Sequence, residues 1–206
     1  MAWSIFLEVT GEENRMENKF YFLEVVITWM AMRIAGTSVY KNFADNLGLE
    51  GREQVMDFGC GLGTVAKYTA ALIPDGNLVC VDISEKRLAT CRKTVKKYVN
   101  VECLAADPDA LQFQDETFDV IYCHFVLHEV NESELTETLE RMFRWLRVHG
   151  KLIYREPVTD SVRMRHLDAV LQDIGFVRES ARIIDIPLMG TTMEAKYEKR
   201  RKREDA

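Results

Sequence analysis

Val55-Met56-Asp57-Phe58-Gly59-Cys60-Gly61-Leu62-Gly63-Thr64-Val65-Ala66 is the stretch that decides the fold of this chain. Its apolar opening reads as the end of a strand, and its three glycines fall where that strand turns into a helix. Glycine at such a turn lets the backbone pass close to a bound ligand and adopt angles closed to other residues. A nucleoside ligand is the natural occupant.

Two kinds of nucleoside ligand compete for it. Gly61-x-Gly63-x-x-Ala66 satisfies the dinucleotide pattern G-x-G-x-x-A, in which a helix N-terminus receives a pyrophosphate. Asp57 argues the other way, because a carboxylate at the end of the first strand repels that anion and suits a cationic amino group. This favours a methionine moiety over a diphosphate.

Outward from this turn, short β-rich runs alternate with longer helix-period segments, the pattern of a parallel sheet with crossover helices. Residues 54–58 read as the first strand and residues 64–73 as a helix stopped by Pro74-Asp75-Gly76. Residues 77–83 read as a buried second strand, after which Ser84 caps a helix running to residue 98. Residues 101–106 and 117–123 are the third and fourth strands, and residues 133–147 a helix whose region ends at Gly150. Residues 151–155 make the fifth strand and residues 162–174 the next helix. Residues 176–186 and 193–197 are close enough in sequence to form an antiparallel pair at one edge. Asp82 closes the second strand about twenty residues past the glycines, where an acid accepts from both hydroxyls of a ribose. Asp107 adds a carboxylate after the third strand, suited to an adenine amino group, so strand-end acids form a row along one rim.

The 206 residues suffice for one domain with a substantial core, and 47% apolar with 29% charged residues is ordinary for a folded globular chain. We expect a helical region or lid over residues 1–48, a ligand-binding domain over residues 49–200 and a charged tail over residues 201–206. A net charge of -6 disfavours a nucleic-acid polymer as partner. The basic cluster at residues 196–203 reads as a solvated terminus. Cys60, Cys80, Cys91, Cys103 and Cys123 include no C-x-x-C pair, which argues against a zinc site and a disulfide framework and for reduced thiols in a cytoplasmic protein. No metal is expected. The start lacks a basic n-region and does not read as a secretory signal, and Met16 is an alternative initiator. The apolar run at residues 20–36 is broken by Glu24 and Arg33 and is short for a membrane span. It reads as a packed helix or as an element for peripheral membrane contact.

These motifs together resemble the class I S-adenosylmethionine-dependent methyltransferases. Asp57 to Gly63 looks like that family's glycine motif, Val79-Cys80-Val81-Asp82-Ile83-Ser84 its ribose-binding strand end, and Ala105-Ala106-Asp107 its adenine-contacting segment. Residues 118–130 resemble its fourth-strand motif and residues 146–157 its helix and fifth strand, so the similarity covers about residues 53–176. The resemblance implies an α/β, Rossmann-like, seven-stranded and mostly parallel sheet with helices on both faces and an antiparallel last strand. It implies S-adenosylmethionine as cofactor, contacted by Asp57, Gly59, Cys60, Gly61 and Gly63. Asp82, Ile83, Ala106, Asp107, Pro108 and His124 complete that expected set.

A sulfonium methyl is already activated, so a methyltransferase must align a nucleophile and exclude water, with a base useful when the acceptor is a hydroxyl or an acidic carbon. His124 after the fourth strand is the first candidate, as base or acceptor-binding group, and Glu156 at the end of the fifth strand is the second. His128 suits a packing or loop-fixing role. Residues 20–30, aromatic and Met-rich, would wall a small, lipophilic acceptor if packed across the strand ends. The residues leave open a protein or RNA methyltransferase, a module that binds the cofactor without turnover, and an NAD-dependent oxidoreductase. The last shares the glycine turn and Asp82 but has no need of Asp57 or Asp107.

Overall fold

Alternation along the strands sorts the core into two layers. Successive strand residues point to opposite sheet faces, and in β1 (Gln54–Phe58) Val55 joins one buried cluster while Met56 and Phe58 join the other. The computed structural model describes residues 38–107, 110–158, 161–187 and 189–200. Within them follow α1 (Ser38–Asp45) before β1, then α2 (Ala66–Leu72), β2 (Asn77–Asp82), α3 (Glu85–Val95) and β3 (Val101–Ala105). The second half runs β4 (Phe118–His124), α4 (Glu132–Trp145), β5 (Leu146–Pro157), α5 (Ser161–Ile174), β6 (Phe176–Ile186) and β7 (Gly190–Lys199).

The seven strands lie in the order β3-β2-β1-β4-β5-β7-β6. β1 to β5 pair in parallel, and β7 inserts antiparallel between β5 and β6. This is the expected sheet, with its reversed last strand. α1, α2 and α3 cover one face through Phe43, Ala70 and Leu88, packed on Val55, Leu78 and Tyr122. α4 and α5 cover the other through Leu139, Met142 and Leu171, packed on Ile121, Leu152 and Tyr154. Ser84 caps α3 as expected, its Oγ accepting from Arg87 N at 3.4 Å.

Two expectations are corrected. α4 ends at Trp145 and β5 begins at Leu146, five residues before the expected start at Lys151. Between Phe118↔Leu146 and Val120↔Lys151 the register slips, so β5 carries an irregularity. His149 sits there at φ 66, and a Cβ on Gly150 would lie 2.8 Å from Arg147 O, so Gly150 serves this tight passage rather than a helix end. The second correction is the basic terminus, since residues 196–199 belong to β7. Lys199 is buried, donating to Leu146 O at 2.7 Å, and Lys196 donates to Asn46 O.

α1 falls in the helical region or lid expected over residues 1–48, of which residues 1–37, Met16 among them, lie outside the described residues, as does the tail at 201–206. Arg155 on β5 pins α1 to the sheet: its Nη1 donates to Val39 O at 3.1 Å and its guanidinium lies 4.7 Å from the Phe43 ring centre. Glu194 on β7 accepts from Arg155 at 2.6 Å and from Arg182 of β6 at 2.6 Å. Among the described residues no helix is long and apolar enough to cross a membrane.

Candidate active site

A cavity of about 810 Å³ opens across the carboxyl ends of the strands, lined from Asp107 beyond β3 to Pro157 at the end of β5. Open α/β sheets bind ligands at this edge, where the strand order reverses, here between β1 and β4.

Asp57 lines this cavity yet is only 2% exposed. Its Oδ2 accepts from the Tyr122 hydroxyl at 2.7 Å. Burial pushes its pKa well above the usual carboxylate range, and the Tyr122 bond only partly offsets this. Two residues on, Gly59 turns at φ 73, with its N–H donating to Val81 O at 2.8 Å. A Cβ on Gly59 would come within 2.4 Å of Val126 Cγ2, so only glycine lets the β1 and β4 loops meet here.

Asp82 ends β2 with both carboxylate oxygens engaged, Oδ2 by Gly61 N and Oδ1 by Ser84 N, each at 2.9 Å. It therefore ties the glycine loop to the start of α3. Cys60, Gly61, Ile83, Ala106 and Asp107 join Asp57, Gly59 and Asp82 in the cavity wall. Gly63 is not in that wall and faces α3, where a Cβ would meet Cys91 Sγ at 2.7 Å. Pro108 lies outside the described residues.

His124 lines the cavity, wedged against Phe43 at 4.9 Å and Phe125 at 4.7 Å between ring centres. Burial, with the Arg155 cation beside it, lowers its pKa to about 3, so the ring is neutral near pH 7. Phe125 follows at φ 60, a left-handed conformation unusual for an aromatic residue, and its N–H donates to Arg155 O at 2.8 Å.

Glu156 departs from the expectation that it faces the cleft: it is absent from the cavity wall and 1% exposed. It is the neighbour of Arg155, which pairs in register with His124, and strand alternation turns it to the other sheet face. Its Oε1 accepts from Val126 N and Leu127 N, both at 2.8 Å, and its Oε2 contacts His128 Nδ1 at 2.6 Å. Glu156 thus shapes the loop after β4, while His128 lines the cavity. Sequence reading missed the Tyr122 bond and the His128–Glu156 pair, and the only visible signal for the pair was the Leu127-His128-Glu129 motif.

The thiols are free as expected, yet three of them gather in space. Cys60, Cys80 and Cys91 place their sulfurs within 4.8 Å of one another, and Cys103 Sγ lies 3.9 Å from Cys91 Sγ. Spacing along the chain carried no sign of this, because each comes from a different element.

Residues 55–150 match a family model described as a methyltransferase domain. The ubiquinone/menaquinone biosynthesis C-methyltransferase UbiE of Pasteurella multocida is 30% identical over 130 residues, which are 59% of this chain and 48% of that protein. The chain thus spans about half the length of the curated relatives it matches. Among solved structures, a SAM dependent methyltransferase from Aquifex aeolicus matches with a TM-score of 0.64 and 19% identity, over 78% of this chain and 89% of that one. The N-methyltransferase NodS of Bradyrhizobium japonicum, in complex with S-adenosyl-l-homocysteine, matches with a TM-score of 0.67 and 15% identity, over 77% of this chain and 85% of that one. At such identities these two likenesses are of fold.

Proposed function

We propose that this chain, whose residues 55–150 match a methyltransferase domain, is a class I S-adenosylmethionine-dependent methyltransferase that methylates a small, lipophilic, planar acceptor, at carbon as its curated relatives' name describes. The observation that carries this reading is the convergence of Asp57, Asp82 and Asp107 on one cavity that Tyr40, Phe125 and Met189 also line.

The residues present fit the cofactor. A buried carboxylate with one hydroxyl partner is an electrostatic debt that an ammonium group offsets, and Asp57 is such a carboxylate. Each oxygen of Asp82 holds one backbone N–H and has a second lone pair for a ribose hydroxyl. Ile83, 70% exposed at the cavity wall, offers an apolar face for a planar base, and Asp107 an acceptor for its amino group. When bound, S-adenosylmethionine supplies a methyl group already activated by its sulfonium sulfur.

The chain's own work is then to bind, orient and dry the acceptor. Tyr40, Phe125, Val126 and Met189 provide apolar walls that exclude water and favour a flat ring. For an acceptor bearing a hydroxyl, removing its proton raises the electron density on the ring carbon, and His128 is the group suited to take it. Glu156 holds His128 through Nδ1, which places the lone pair of the neutral ring on Nε2. Glu156 is thereby a positioning residue, and His124, too weak a base at about 3, becomes part of the acceptor wall. The small acceptor stands as the partner, and five cysteines outside any disulfide suit the cytoplasm as its setting.

The test is incubation of the purified chain with methyl-labelled S-adenosylmethionine and a panel of hydroxylated, prenyl-bearing aromatic rings. Label on a ring carbon, located by NMR, with release of S-adenosylhomocysteine is the expected result. Label found only in protein or RNA fractions, or cofactor binding without any transfer, overturns the proposal.

A further inference from the structure

Four of the five cysteines meet beneath the glycine loop. Cys60 follows β1, Cys80 lies in β2, Cys91 in α3 and Cys103 in β3. Cys80 and Cys103 are direct register partners on adjacent parallel strands, so their side chains leave the same sheet face. α3 lies over that face and supplies Cys91 from above, and the loop supplies Cys60 from the side. The sulfurs of Cys60, Cys80 and Cys91 lie within 4.8 Å of one another, and that of Cys103 is 3.9 Å from Cys91. In a tetrahedral tetrathiolate with Zn–S bonds near 2.3 Å, neighbouring sulfurs stand roughly 3.8 Å apart. Three sulfurs therefore stand somewhat wider than in a closed shell, and Cys103 adjoins them through Cys91, so small side-chain rotations complete the set.

We propose that Cys60, Cys80, Cys91 and Cys103 bind one thiophilic divalent cation of the zinc class as a closed structural site.

Two surrounding features favour a metal over simple apolar packing. Gly63 approaches the cluster so closely that its Cβ would meet Cys91 Sγ at 2.7 Å, so glycine leaves the sulfur its room. Arg92, paired with Glu85 at 2.5 Å, lies at the edge of the cluster with Nη2 3.5 Å from Cys103 O, a cation beside the net negative charge of four thiolates around a divalent ion. Cys103 is the partly exposed member and the side from which an ion reaches the other three. With four sulfurs the shell has no open position, so the ion acts by holding β2, α3 and β3 to the loop that carries Cys60. Cys60 also lines the cavity, which makes the ion a brace for the cofactor-binding turn.

The experiment uses the full chain, reduced, equilibrated with Zn²⁺ and dialysed, with metal content and Co²⁺ absorption as readouts that do not depend on methyl transfer. The expected result is about one equivalent of zinc per chain, and on Co²⁺ exchange the intense visible bands and thiolate charge-transfer absorption of a tetrahedral sulfur site. Cys91→Ala should lose the metal, whereas Cys123→Ala, on the other sheet face, should retain it. Wild-type chain that keeps less than about a tenth of an equivalent and gives no thiolate–Co²⁺ absorption overturns the proposal, whatever the variants do. A Cys80–Cys103 disulfide in metal-free protein, found by non-reducing peptide mapping, overturns it as well.

Discussion

The Tyr122 hydroxyl, itself contacted by the Thr69 hydroxyl at 3.2 Å, donates to Asp57 Oδ2 at 2.7 Å inside the core. Two strands thus hold one carboxylate against the cavity, where the proposed reading sets the cofactor's ammonium group.

Cofactor affinity should follow the ionisation of Asp57. Its pKa in the ligand-free fold is raised well above 3.8, chiefly by burial, so the fold holds a proton that the unfolded chain releases. Stability of the ligand-free protein therefore falls as pH rises from near 3.8 toward the raised value, the sign expected when the native state binds more protons. An ammonium ligand favours the ionised form, so affinity for S-adenosylhomocysteine should weaken as pH drops through that same range. Asp57→Asn should remove the pH dependence and weaken binding by about 1.5–3 kcal/mol, roughly 10- to 150-fold. Tyr122→Phe should move the transition to higher pH. Calorimetric titration in two buffers of different ionisation heat reads both effects.

Turnover should depend on His128 as base and not on His124. With a pKa of about 3, His124 is uncharged throughout the range where the enzyme works, and His124→Gln should leave the acid limb of kcat/KM where it was. His128→Ala should lower kcat by about 10²- to 10⁴-fold for a hydroxyl-bearing acceptor. Glu156→Gln should lower kcat for that acceptor while leaving cofactor affinity within about threefold, a split that a purely structural Glu156 would not produce. The measurement is kcat/KM against pH for the three variants.

His124 also contributes to acid sensitivity. Its folded pKa of about 3 lies below the 6.5 of a free imidazole, so the unfolded chain takes up a proton first. Stability from this group is complete above pH 6.5 and is lost as pH falls toward 3. Thermal melts of His124→Phe should show a flatter decline over that interval than the parent.

Glu194 should be the most costly charge to remove. It is 3% exposed and bridges Arg155 and Arg182, each at 2.6 Å. Glu194→Ala leaves the buried Arg155 without its carboxylate and should destabilise by about 3–5 kcal/mol. Arg182→Ala, whose side chain is 51% exposed, should cost under about 1 kcal/mol. Urea melts of the two variants decide this, and equal losses would refute the ordering.

The contact of Gly59 with Val126 should be divisible by a double-mutant cycle. Gly59→Ala adds a Cβ 2.4 Å from Val126 Cγ2 and also strains φ 73. Val126→Ala in the same chain should restore the part due to the clash and leave about 1 kcal/mol for the left-handed backbone. Full restoration would show that the backbone angle carries no penalty.

The pattern of residue types along the chain was enough for the sheet and its cofactor edge. Alternating runs, three spaced glycines and acids at strand ends are local signals, set by sterics and by the need of a strand or a turn for particular side chains. β1, β2 and β6, the Ser84 cap and the cavity positions of Asp57, Asp82 and Asp107 were legible for that reason. Register and convergence were not. Glu156 faces away from the cleft because of where β5 pairs, and β5 begins at Leu146 because a slip against β4 absorbs extra residues. Lys199 is buried because β7 extends through a segment whose composition looks like a tail. Four thiols separated by up to 43 positions, Cys60 to Cys103, become neighbours only once β2, β3 and α3 stack beside the glycine loop. Such meetings depend on pairing between distant segments, whose energies appear only when the chain closes on itself, whereas strand, turn and cap preferences act within a few residues and can be read before it does.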